Sequence, residues 1–166
     1  MANDPINIFE PSWEDERDSP PGFRARRLYL ARALGSDQLG VSLWEVDPGE
    51  SNMPYHAHHA NEELLIVLTG TPTLRNCDGE RELKPGDSVL FRRGDAHQLT
   101  NRSDEPVRFL FIAPLNHPEI IELPDTERIT VFAGRPTSGR GDFTLLKVVN
   151  AEGVDQGFFT AEPPPS

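Results

Sequence analysis

Residues 54–63 read PYHAHHANEE, and residues 64–70 follow at once as the apolar run LLIVLTG. Three of the chain's five histidines, with Glu62 and Glu63, therefore stand directly against a stretch that must be buried. A polar loop, or a helix start capped by Asn61, would account for the polarity alone. A metal site accounts for the residue types as well. On a strand, His56 and His58 fall on one face because side chains alternate with period two, and imidazoles about 7 Å apart along a strand can converge on one ion. Glu63 follows far enough on for the chain to turn and bring its carboxylate to the same point. His97, opening a strand after Arg93-Gly94-Asp95-Ala96, is the candidate for one more ligand. Imidazole with carboxylate suits Mn, Fe, Co, Ni or Zn.

Outward from this stretch the chain reads as strand, turn, strand. Predicted strands are LGVSLWEV (39–46), ELLIVLT (63–69), TPTLRN (71–76), ERELK (80–84), SVLFR (88–92), HQLTN (97–101), VRFLFIA (107–113), RITVFA (128–133) and FTLLKVVN (143–150). Asp47-Pro48-Gly49, Gly70-Thr71-Pro72, Asp78-Gly79, Pro85-Gly86 and Arg93-Gly94-Asp95 separate them, and Pro and Gly at such points set turns rather than helices. Sixteen prolines work against long helices. Short strands at this spacing predict an all-β sandwich or barrel. Segment 23–34, FRARRLYLARAL, lacks Pro and Gly and reads as strand or helix, with strand preferred. Residues 1–24 form an N-terminal arm, 25–115 the barrel, and 116–166 a C-terminal extension with extra strands and a Pro-rich tail, AEPPPS, expected to fray.

The order of residues is more specific than the His-x-His alone. Gly49, six residues, His56-Ala57-His58, four residues, Glu63, six residues and Gly70 make one motif. Gly79, five residues, Pro85-Gly86-Asp87, then Gly94, two residues, His97, three residues and Asn101 make a second. On these two motifs the chain resembles the cupin superfamily over roughly residues 39–113, and its flanks are similar to those of small single-domain bacterial cupins. The first spacer is one residue longer than the family's usual one. Arg92 stands where most members have a proline. The resemblance implies a double-stranded β-helix (jelly-roll) barrel with one divalent transition metal (Fe, Mn, Zn, Ni or Co) inside, held by His56, His58, Glu63 and His97. It also implies a small-molecule ligand, and homodimers are common among such cupins.

Other residues are weighed against plainer roles. The gap to Gly70 favours Glu63 over Glu62 as the acidic ligand. His59 points away from its neighbours and His117 lies beyond the barrel, so both read as non-ligands. Trp44, Phe91, Phe109 and Phe111 read as core. Tyr55, next to the histidines, and Arg92, beside the second metal-binding loop, are the candidate substrate-binding residues. An inward Arg92 would anchor a carboxylate in bidentate fashion, with Arg75 and Arg102 as further cations near the path. Cys77, the single cysteine, is read as a small buried hydrophobe and excludes an intrachain disulfide, which fits a reducing cytoplasm. Arg140-Gly141-Asp142 is read as a turn.

The net charge of −11 repels nucleic acid and anionic membranes. No stretch approaches the roughly 18 apolar residues of a membrane helix, and the first residues resemble no secretory signal. The functional expectation is a metal-dependent enzyme acting on a small oxygen-rich or anionic organic molecule, of dioxygenase, lyase or isomerase type. A non-catalytic small-molecule-binding or regulatory cupin is the alternative.

Overall fold

The computed structural model describes residues 4–16, 20–133 and 145–150. Within them the chain forms β1 (Asp15–Glu16), β2 (Ala25–Leu28), a single helical turn α1 (Leu30–Ala33), β3 (Leu39–Val46), β4 (Ala57–His58), β5 (Glu63–Thr69) and β6 (Thr73–Asn76). There follow β7 (Gly79–Glu82), β8 (Ser88–Phe91), β9 (Gln98–Thr100), β10 (Val107–Pro114), β11 (Glu119–Leu123), a 3₁₀ turn at Pro124–Thr126, β12 (Arg128–Ala133) and β13 (Leu145–Asn150). They build an antiparallel jelly-roll barrel from a six-stranded sheet ordered β1-β2-β3-β10-β5-β8, a three-stranded sheet β7-β6-β9 and a four-stranded sheet β13-β12-β11-β4.

Alternation decides what faces the interior. Along β10, Val107, Phe109 and Phe111 are buried while the residues between them are not. Phe109 lies opposite Trp44 on β3 and Val67 on β5, and Phe111 lies opposite Ser42 and Leu65. Directly opposed residues share a face, so Trp44, Val46, Leu65, Val67, Phe109 and Phe111 fill one core, joined by Leu74, Leu83, Phe91 and Leu99. The four aromatic residues read as core are all there. Glu63 has the parity of Leu65 and Val67, so the same alternation that buries those side chains carries its carboxylate inside.

Three sequence expectations are corrected. Segment 23–34 is not one strand: β2 ends at Leu28 and α1 begins at Leu30, so a strand and a helical turn share it. An unforeseen strand, β11, pairs with β4 through Ile121↔His58 and Glu122↔Ala57, and with β12 on its other edge. Cys77 is exposed in the hairpin between β6 and β7 rather than packed. Part of the arm is anchored: Phe23 is buried, and β1 pairs with β2. The turn at 140–142 and the tail AEPPPS lie outside the described residues, as do the first two residues of the predicted strand 143–150. Among the described residues no helix is long and apolar enough to cross a membrane.

Two motif residues show their purpose. Asn101 is fully buried and donates from Nδ2 to the carbonyls of Val46 (2.9 Å) and Glu105 (2.8 Å), tying β3 to the turn before β10. Gly70 has φ +74, and a Cβ there would meet Val107 Cγ1 at 2.7 Å and Val107 Cα at 3.1 Å. Gly49 has a similar φ of +78 but open space around it. Gly49→Ala should therefore cost only the left-handed backbone strain of about 1–2 kcal/mol, whereas Gly70→Ala adds an overpacking cost of about 1–3 kcal/mol. Denaturant unfolding of both variants checks this, and equal losses would contradict it.

Candidate metal centre

His56 and His97 are brought together by their own backbones. Each donates its N–H to the other's carbonyl, His56 N to His97 O at 3.1 Å and His97 N to His56 O at 2.9 Å, an isolated antiparallel bridge. Residues that exchange both hydrogen bonds have Cα atoms about 5.5 Å apart, and the ring centroids here are 4.6 Å apart. Phe91 stacks flat on His97 with centroids 3.8 Å apart and fixes that ring from the core side.

The imidazole hydrogen bonds fix the tautomers. His56 Nδ1 lies 2.8 Å from the carbonyl of Pro54, and His97 Nδ1 lies 3.1 Å from that of Asp95. A carbonyl can only accept, so in their neutral forms both rings carry the proton on Nδ1 and turn the Nε2 lone pair inward. His97 Nε2 is buried and has no hydrogen-bond partner, although Glu63 Oε2 is only 3.3 Å away. A nitrogen that close to a carboxylate and yet not aligned with it is what two ligands aimed at one ion would show. The donor atoms of His56, Glu63 and His97 all lie within 4.8 Å of one another. The residues present fit a divalent transition metal.

His58 stands half a step outside that trio. Its Nε2 is 3.4 Å from Glu63 Oε2, and its Nδ1 is 3.5 Å from Glu119 Oε2. Glu119, the first residue of β11, is buried and had no place in the sequence reading. Its Oε1 accepts from the backbone N–H of His59 (3.1 Å) and of Ala60 (2.9 Å), and its Oε2 accepts from the Asn61 amide. Asn61 in turn bonds the backbone of Asn116 through both ends of its amide. Residues 58–61 are thus clasped by the segment 116–119, and the carboxylate at the centre of that clasp faces His58.

The electrostatics follow from burial and these contacts. Burial, reinforced by the neighbouring His97 and His58, holds His56 well below the ordinary imidazole pKa, so it is neutral and ready to ligate. Burial also works against a charge on His58, but the Glu63 and Glu119 carboxylates outweigh it and raise its pKa. Burial alone would raise Glu63, yet His58, foremost among the three surrounding imidazoles, brings it down to about 2. Glu119 is lowered as well, because His58, the Ala60 N–H and the Asn61 amide overcome its burial.

The candidate substrate-binding residues lie elsewhere. Arg92 is exposed, and its backbone is held by Asp95, whose Oδ2 accepts from the Arg92 N–H at 2.9 Å and whose own N–H donates to the Arg92 carbonyl at 2.9 Å. Tyr55 packs beneath Arg75, whose guanidinium is 4.0 Å from its ring centroid and forks onto Asp125 at 2.6 and 2.8 Å. Arg102 reaches Glu80 at 2.8 Å. Glu62 and His117 are exposed, and His59 bonds Glu122 outside the cluster.

Comparison with known proteins agrees with this geometry. The family model "Cupin domain" matches residues 42–113. A curated relative, L-ectoine synthase of Nocardia farcinica, is 29% identical over 108 residues, covering 63% of this chain and 79% of its own. The polyketide cyclase RemF of Streptomyces resistomycificus superposes with a TM-score of 0.58 at 27% identity, over 69% of this chain and 81% of that one. A sugar phosphate isomerase of Silicibacter pomeroyi, from a cupin superfamily, superposes with a TM-score of 0.76 over 93% of this chain and 97% of its own, at 22% identity, a likeness of fold.

Carboxylates behind a metal-ligating histidine orient the ring and raise its basicity, and their loss weakens metal binding about 10- to 100-fold. Glu119→Gln keeps the size and removes the charge. It should weaken Zn²⁺ binding by at least about tenfold while the variant still melts cooperatively. Calorimetric titration measures this, and an unchanged affinity would show that Glu119 serves only the clasp.

Proposed function

Because this chain belongs to the cupin superfamily, we propose that it is a metal-dependent enzyme acting on a small oxygen-rich or anionic organic molecule, of lyase or isomerase type. The observation that carries the reading is the buried, unpartnered Nε2 of His97 beside Glu63 and His56. His56, Glu63 and His97 would hold the ion, with His58 as the fourth ligand. A bound divalent metal at such a centre polarises a carbonyl or carboxylate oxygen as a Lewis acid. The relatives named as a synthase and a cyclase support chemistry of this kind over dioxygen chemistry.

The chain's own residues supply the remainder. Pro54 and Asp95 carbonyls keep the Nδ1 protons in place and so aim two imidazoles. Glu119 offers an acceptor to His58 Nδ1, which lets that ring keep or release a proton beside the site. Phe91 and Phe111 wall the centre on the core side and exclude water there, with Phe111 5.7 Å from His97 centroid to centroid.

Two measurements test this. Protein purified without chelators should carry one transition metal per chain, and His97→Ala should carry none; a metal-free wild type under metal-replete expression would sink the reading. The second is pH. In the metal-free protein His58 has a raised folded pKa, so its charged form stabilises fully below the unfolded value of about 6.5 and that contribution fades as pH rises through the folded pKa. Glu63, depressed to about 2, stabilises above about 4.3 and loses its contribution as pH falls through about 2. A ligating His58 must shed its proton, so Zn²⁺ affinity should be tighter at about pH 8 than at about pH 6, with proton release seen across buffers of different ionisation enthalpy. Flat affinity would remove His58 from the ligand set. Dioxygen uptake coupled to turnover would replace the lyase or isomerase type by a dioxygenase.

A further inference from the structure

Two adjacent arginines on β2 meet opposite fates. Arg26 lies opposite Glu45 of β3, on the outer face, and its Nη2 reaches Glu45 and Asp47 at 2.8 Å each. Arg108 of β10 binds the same Glu45 from the other side. Arg27 lies opposite Trp44 and therefore shares the interior face with it and with Ala25, both of them core residues. There the guanidinium is held between two rings, 4.2 Å from the Tyr29 centroid and 4.6 Å from that of Trp44, with Nη1 3.4 Å from the Tyr29 hydroxyl. No carboxylate among the described residues pairs with it, and its Nε is buried without a hydrogen-bond partner. Its charge is close enough to His58 to oppose protonation of that ring.

A half-buried guanidinium on the barrel's inner wall, packed by aromatics and with its buried Nε unused, is an unfinished site. A buried N–H without a partner is costly, and the fork of an arginine matches the paired oxygens of a carboxylate or phosphate. Stacking on Trp44 and Tyr29 restricts the side chain before any ligand arrives, which lowers the ordering cost of binding. We propose that Arg27 is the anion anchor of this barrel, binding a small molecule through a carboxylate or phosphate group while another oxygen of the same molecule reaches the His56–Glu63–His97 cluster. This rests on the metal-centre reading for the second contact only. Arg27, and not the exposed Arg92, then selects for charge.

The test uses the full chain loaded with Zn²⁺, titrated calorimetrically with malonate and, separately, with inorganic phosphate. Wild type should bind at least one at millimolar concentration, and the preferred probe tells carboxylate from phosphate. Arg27→Gln should lose about tenfold or more in that affinity, because charge-assisted hydrogen bonds are roughly twice as strong as neutral ones. Arg27→Lys, which keeps the charge and the fold but not the fork, should fall between. Arg26→Gln, on the outer face, should bind as wild type does. Metal content, measured on the same samples, should be equal in all four proteins. Binding of neither anion by wild type, or equal binding by wild type, Arg27→Gln and Arg27→Lys, overturns the proposal. If no protein holds metal but anion binding still depends on Arg27, the metal reading fails and the anchor stands.

Discussion

A carboxylate inside a β-barrel is the constraint from which the rest of the site follows. Glu63 opens β5 with the same parity as Leu65 and Val67, so it cannot be turned outward without turning the core outward too. An isolated buried carboxylate would cost several kcal/mol. The fold meets that cost by surrounding it with imidazoles from three places: the bridge residue His56, the short strand β4, and the end of the loop after β8. Neutral imidazoles alone compensate poorly. Either a proton must reside on His58 or a cation must sit among the group, and the Glu63 and Glu119 carboxylates raise the His58 pKa in the direction of the first arrangement.

Orientation is delegated to groups that have no part in ligation. The three Nδ1 atoms face a carbonyl at Pro54, a carbonyl at Asp95 and the carboxylate of Glu119. The first two are set within two residues of their histidines, so local chain geometry suffices. The third needs β11 to pair with β4 at the register Ile121↔His58. Segment 116–123 therefore packs as one unit with the histidine strand, and the cluster's contacts extend beyond the residues that the cupin domain match covers.

This division explains what could be read from the sequence. Strands 39–46, 63–69 and 128–133 were legible to the residue because alternation and flanking turns agree there. His56, Glu63 and His97 were legible because the spacing of two motifs encodes their convergence. Strand β11 was not: its inward residues begin with a polar one, Glu119, and prolines at 118 and 124 bracket it, so it lacks the usual apolar alternation. The run EIIEL between two prolines was the one available signal. Glu119 could not be placed without that strand. Arg27 was hidden differently, since FRARRLYLARAL holds a strand and a helical turn and no single period assigns an inward face. Arg92 drew attention by replacing a proline, but spacing says nothing about which way a side chain points, and it points to solvent.

The chain's acidity bears on the anion in a way that net charge alone misjudges. Much of the negative charge is met locally by arginines: the buried Glu45 by Arg26 and Arg108, the buried Glu50 by Arg24, and on the surface Glu80 by Arg102 and Asp125 by Arg75. The exposed ones among them add little stability, yet each pair cancels a carboxylate that would otherwise contribute to the field. What remains is screened over about 8 Å at physiological ionic strength, so distant carboxylates reach the barrel interior weakly. Interior charges are screened far less, and there the balance differs: Glu63 and Glu119 stand against the guanidinium of Arg27, His58 when protonated, and any divalent ion held by the cluster. A divalent ion held by the cluster would tip that balance toward the cations, so it would strengthen the pull on an anion that the Arg27 guanidinium exerts by itself.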